Sequence, residues 1–195
     1  FLSLQAVTIG AFGLKKPFMC NGANLCYTKS VFLEVNGFEG NLNMASGDDV
    51  FFIEKVIQKY PNDIFYLKSL EAIVYTKPLS SIKSLLHQRM RWAGKTSAFS
   101  GFFSKAIALI VLLMNISLIL YLIFAFLNDL RWHILMLIFL IKISFDFLLI
   151  KKSMGFFKQK KSCYYYPINS ILYPFFTLIV VFASFFFKYR WKGRT

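Results

Sequence analysis

Residues Ala106 to Leu127 form a run of 22 residues without a single charged side chain. At 1.5 Å per residue such a run is long enough to cross the hydrocarbon of a bilayer. There, only a helix satisfies its own backbone N–H and C=O groups. A second apolar run, Trp132 to Ile150, is interrupted only by Lys142 and Asp146. These two stand four residues apart, so on a helix they can pair on one face and turn into a bundle, away from lipid. That pair can serve packing or can help to move a substrate. A third run, Cys163 to Phe187, is broken by Pro167 and Pro174.

The remainder fits a membrane protein. The chain is 57% hydrophobic, with 24 Phe and 10 Tyr, and carries a net charge of +14. Its lysines and arginines gather beside the apolar runs, at Lys151-Lys152, Lys158 to Lys161 and Lys188 to Arg194. Anionic lipid headgroups are the partner such placement suits. No nucleic-acid-binding motif accompanies the charge, so nucleic acid is not expected as a partner. Cys20, Cys26 and Cys163 are odd in number and lack the close spacing of zinc or redox sites, so they read as reduced, packed thiols. The opening at Phe1 has no initiator Met and no secretory signal pattern, and reads as the start of a fragment.

The composition changes near Ser100-Gly101, which divides the chain into residues 1–100, mixed in polarity, and 101–195, the membrane region with spans near 106–127, 132–150 and 163–187. In the first part, Phe1 to Phe12 suits an amphipathic or interfacial helix, and Ala23 to Tyr27 a short buried strand. A helical turn follows from Ser30 to Val35, stopped by Asn36-Gly37. From Asp48, the apolar positions Val50, Phe51, Ile53, Val56, Ile57 and Tyr60 recur at helical spacing until Pro61. Phe65 to Leu67 and Ala72 to Thr76 then read as two further strands.

Gln88-Arg89-Met90-Arg91-Trp92 lies just before the first span. On a helix from Ser81 to Trp92, Gln88, Arg91 and Trp92 share a face. A guanidinium fork matches phosphate oxygens, an amide donates and accepts, and an indole offers a flat surface to the C–H face of a sugar. The same residues would also suit a membrane-flanking belt. Upstream stand Asn21-Gly22-Ala23-Asn24, Asn36-Gly37-Phe38 and the acidic pair in Ser46-Gly47-Asp48-Asp49.

In this order the elements resemble the C-terminal half of the catalytic domain of inverting, membrane-associated family-two glycosyltransferases, the group with cellulose, hyaluronan, chitin and ceramide glucosyl transferases. The resemblance implies a GT-A type α/β fold followed by transmembrane helices. It also implies transfer of a sugar from a nucleotide-sugar to a lipid-linked or glycan acceptor, at the cytoplasmic face of a plasma or inner membrane. Asp49 would be the base, with Asp48 holding charge beside it. Gln88 and Arg91 would bind the departing diphosphate, and Trp92 and Asn24 would border the acceptor. The local alternatives are that Ser46 caps a helix with Asp49 as the acidic member of a capping box, and that Asn21-Gly22 is a plain turn.

The family also uses a divalent metal, Mg²⁺ or Mn²⁺, held by an Asp-x-Asp pair that does not occur in this sequence. The resemblance therefore implies that these residues carry the acceptor side and the leaving-group clamp, with the metal ligands elsewhere. A different class of function, a non-catalytic basic membrane subunit that binds acidic lipids or a partner protein, accounts for the composition but not for the ordered motifs.

Overall fold

A computed structural model describes residues 1–40, 47–96, 101–127 and 132–186. Its helices are α1 (Leu2–Gly13), α2 (Lys29–Glu34), α3 (Asp48–Lys59), α4 (Ile82–Thr96), α5 (Phe102–Leu127), α6 (Trp132–Phe156) and α7 (Tyr166–Phe186), with 3₁₀ turns at Gly22–Asn24 and Lys160–Cys163. The chain divides into two compact units, one of Phe1–Val7 with Ala106–Phe182 and one built on Thr8–Lys105.

No strand occurs among the described residues, which overturns the expected α/β fold. The segment expected as a buried strand at Ala23 to Tyr27 is a 3₁₀ turn followed by irregular, mostly exposed chain. Phe65 to Leu67 and Ala72 to Thr76 are likewise irregular, with Phe65, Leu67 and Tyr75 largely exposed. Extended chain becomes a strand only when a neighbour completes its backbone ladder. Here the first and last of these segments meet through a side chain instead, with the Asn24 Nδ2 amide donating to the Ala72 carbonyl at 2.7 Å.

The expected helices do form. In α2, the Thr28 hydroxyl caps the first turn by accepting from the Val31 N–H at 3.3 Å. The helix stops at Asn36 and Gly37, whose φ values of 55° and 45° are left-handed. Helix α1 carries apolar residues around its whole girth, not along one side as an interfacial helix would.

In the second unit the core is aromatic. Phe52 of α3 is 2% exposed and meets Tyr27, Phe32 and Phe38 at ring-centroid distances of 4.5, 5.7 and 6.0 Å. Tyr27 stacks on Phe32 at 5.5 Å, and Phe38 meets Phe32 edge-on at 5.1 Å. Gly37 is required at its position. A Cβ there would lie 2.5 Å from the Phe32 ring, on a backbone that L side chains rarely adopt. Glu34 ties α2 to the end of α3, accepting from the Tyr60 hydroxyl and from Lys59 Nζ at 3.1 Å. The Tyr60 and Lys59 hydrogen bonds hold its carboxyl below the usual range.

Helices α5, α6 and α7 are each long and apolar enough to cross a membrane. Most of their large apolar side chains are exposed, as suits lipid. Within the unit, Leu118, Ala125 and Leu135 form a buried cluster with Trp132 and Phe139 packed against it. The Lys142–Asp146 pair forms at 2.6 Å, with Lys142 10% and Asp146 46% exposed. Lys142 turns into the bundle, 5.7 Å from the Tyr173 ring, while its partner stays half open. The Tyr166 hydroxyl donates to the Ile143 carbonyl at 2.9 Å, pinning α7 to α6. Helix α7 runs unbroken through Pro174, and its 21 residues span about 31 Å at 1.5 Å per residue. The basic tail, Lys188 to Arg194, lies outside the described residues.

Candidate functional site

The site begins at the N-terminus of α3. Gly47 takes the N-cap position at φ 108°, a left-handed conformation that suits glycine. Ser46, expected as the cap, lies outside the described residues. With Gly47 as N-cap, Asp48 and Asp49 occupy the first turn, where the exposed N–H groups favour negative charge.

Asp49 is more than a dipole partner. Its Oδ1 accepts the Val50 N–H at 3.0 Å, and its Oδ2 accepts the Gly22 N–H at 2.8 Å, across 27 residues of chain. The Cys20 thiol donates to the Asp49 carbonyl at 3.2 Å. Two motifs read separately in the sequence, Asn21 to Asn24 and the acidic pair, are therefore one structural unit. Gly22 is there because the approach is close. A Cβ would stand 3.2 Å from Asp49 Oδ2 and 3.4 Å from Asp49 Cβ. Asp49 is half-buried, whereas Asp48 is exposed.

Burial, and then the charge of Asp49, push the Cys20 thiol up to about 12. At neutral pH it is a protonated donor and not a nucleophile. Cys20, Cys26 and Cys163 are all free thiols, but Cys26 and Cys163 are exposed and not packed as expected. Asn24 is exposed and commits its Nδ2 to the Ala72 carbonyl at 2.7 Å.

Helix α4 carries the second set. The Ser81 hydroxyl caps it, accepting from the Ser84 N–H at 3.1 Å. Gln88, Arg91 and Trp92 are half-buried on the continuous helix, so their shared face stands as the spacing predicts. Met90, on another side, is buried and anchors the helix. Arg89 lies over the Trp92 ring at 4.5 Å. That stack occupies one indole face and fixes its plane. Asp49 makes no bond to Gln88, Arg91 or Trp92 among the described residues. Its partners come from the Cys20–Gly22 segment and its own helix.

One contributor was not legible in the sequence. Lys55, six residues after Asp49, donates to the carbonyls of Asn36 and Glu39 at 3.4 and 3.1 Å and to that of Gly37. These carbonyls belong to the turn that follows α2, and three of them converging on one ammonium fasten the Asn36–Glu39 turn to α3. The helical period shows which side of α3 carries Lys55, but nothing local says which carbonyls it will meet.

For a divalent metal the residues offer little. No group of three or more His, Cys, Asp or Glu side chains is placed to hold one among the described residues.

No curated protein and no solved structure matches the chain. The family model described as Glycosyl transferase family group 2 matches residues 3–188, nearly the whole length. An acidic helix start bonded to the Asn-Gly segment, a Gln-x-x-Arg-Trp helix and three apolar helices are thus arranged within a single family domain, and the chain belongs to glycosyl transferase family group 2.

Proposed function

We propose that the protein transfers a sugar, with inversion, from a nucleotide-sugar to a lipid-linked or glycan acceptor at the cytoplasmic face of its membrane. The observation that carries this reading is the carboxylate of Asp49, held by the Gly22 N–H at the start of α3. In the proposed reaction, the acceptor hydroxyl oxygen bonds to the anomeric carbon of the donor sugar as its proton passes to Asp49. The bond from that carbon to the diphosphate oxygen breaks, and the nucleoside diphosphate departs with the electron pair. Arg91 offers a two-pronged contact to the departing phosphates, with the Gln88 amide beside it. Asp48 keeps negative charge near the base. Trp92, its plane fixed by Arg89, and the exposed Asn24 border the acceptor.

The division of labour is part of the proposal. These residues supply the base, the clamp and the acceptor side, while the groups that bind the nucleotide and any Mg²⁺ or Mn²⁺ come from elsewhere in the enzyme. With three candidate spans among the described residues, a lipid-type acceptor and single transfer fit better than polymer extrusion. The test is to incubate membranes carrying the enzyme with a panel of nucleotide-sugars and identify products by mass spectrometry. A lipid heavier by one sugar residue supports the reading, whereas nucleoside diphosphate release with no sugar-bearing product contradicts it.

A further inference from the structure

The connection between α6 and α7 stands outside the chemistry above. Lys151 and Lys152 close the last turns of α6, and Lys158, Lys160 and Lys161 follow before α7 begins at Tyr166. All five are exposed. From residue 147 to the end of the sequence there is no Asp or Glu. The preceding acid, Asp146, is already paired with Lys142. Lys158, Gln159, Lys160 and Lys161 line a shallow concavity, formed where Lys158 turns the chain at φ 55° and Lys160–Cys163 winds into a 3₁₀ turn.

The flanks fix the depth of this cluster. Two apolar helices long enough to cross a membrane end at the same connection, so the lysines lie where hydrocarbon gives way to water. Tyr164 and Tyr165, 84% and 66% exposed, add the amphipathic rings that suit that level. Like charges this close repel one another unless a counter-charge joins them.

We infer that the α6–α7 connection is a docking site for the headgroups of anionic phospholipids, with Lys158, Lys160 and Lys161 gripping the phosphate and Tyr164 and Tyr165 seated among the neighbouring lipids. The occupant is the membrane's own acidic lipid. It matches the uncompensated positive charge and is continuous with the lipid around α6 and α7. The site is independent of which sugar the enzyme transfers.

The connection carries its own reporter position, Cys163, an exposed free thiol two residues from Lys161. In the Cys26→Ser protein, a fluorophore on Cys163 is reconstituted into nanodiscs that contain, at equal mole fraction, nitroxide-bearing phosphatidylglycerol or phosphatidylcholine. Labelling of Cys163 alone is verified by mass. The anionic lipid quenches more strongly at low salt, and the difference shrinks as sodium chloride is added. Lys158→Gln, Lys160→Gln and Lys161→Gln each weaken headgroup association about fivefold at low salt, and together they bring the two lipids level. Equal quenching by the two lipids in the lysine-intact protein overturns the site, as does a preference undiminished in the triple variant. Loss of the preference to inorganic phosphate at an ionic strength where chloride leaves it intact assigns the lysines to a soluble anion instead, which also overturns the inference. The salt dependence of the lysine-intact protein gives an answer even if the variants do not fold.

Discussion

Replacing Gly22 by Ala separates the positioning of Asp49 from the stability of the fold. Gly22 has no left-handed φ, so alanine is compatible with its backbone, and the stiffer unfolded chain contributes about 0.4–1 kcal/mol of stability. Against this, the new methyl meets Asp49 Oδ2 at 3.2 Å and Asp49 Cβ at 3.4 Å, so the carboxylate must retreat by a few tenths of an ångström. The Gly22 N–H bond at 2.8 Å stretches, which costs at most the roughly 0.5–1.5 kcal/mol that such a bond contributes. The two terms nearly cancel, and thermal unfolding should change by less than about 1 kcal/mol. Catalysis has no such offset. Misplacing a reacting group by 1 Å can cost about a hundredfold, so a few tenths should lower turnover by roughly three- to tenfold. The assay is steady-state transfer at saturating donor and acceptor, run beside a melting curve on the same preparation. Unchanged turnover with an unchanged melt would refute the claim that the Gly22 contact positions the base.

Three further outcomes follow from the same geometry. Arg91→Lys keeps the charge but loses the planar fork, so activity should fall at least tenfold, and full activity in the variant would make Arg91 a headgroup anchor. Phe52→Ala removes a ring that is 2% exposed and touches three others, and should cost about 3–5 kcal/mol in denaturant unfolding, whereas Phe65→Ala, 82% exposed in the native fold, should cost less than about 0.5 kcal/mol. The Cys20 thiol is raised from its ordinary 9.0 to about 12. The folded protein therefore holds this proton where the unfolded chain has released it, so stability is unaffected below pH 9 and declines as pH rises from 9 towards 12. Cys20→Ala should flatten that decline, and at pH 8 iodoacetamide should modify Cys26 and Cys163 well before Cys20.

Features governed by short-range physics were legible in the sequence. The three apolar helices follow from runs with almost no charge, α3 follows from the spacing of Val50, Phe51, Ile53 and Ile57, and the α2 stop follows from Asn36-Gly37. The strands were misread because Leu25, Phe65 and Val74 carry the right side chains while pairing depends on a neighbour that local sequence does not reveal. In the site, helical spacing placed Gln88, Arg91 and Trp92 on one face. The bond from Gly22 to Asp49 and the grip of Lys55 on the Asn36–Glu39 turn are tertiary contacts, invisible to any periodicity. Arg89 could have been read as a partner of Trp92 from its i, i+3 spacing alone.

The most direct test of the proposed chemistry is the turnover of Asp49→Asn. Asparagine has one side-chain acceptor oxygen where the carboxylate has two, so it cannot serve both the Val50 and the Gly22 N–H groups, and about 1–3 kcal/mol of stability should be lost. A fold of ordinary stability, about 5–15 kcal/mol, remains almost wholly folded after such a loss. Loss of a general base lowers the rate by about 10²–10⁴. With folded protein quantified in each preparation, the account predicts sugar transfer reduced at least a hundredfold per folded molecule. Transfer within tenfold of the parent enzyme would contradict it and leave Asp49 as the latch that joins α3 to the Asn21–Asn24 segment.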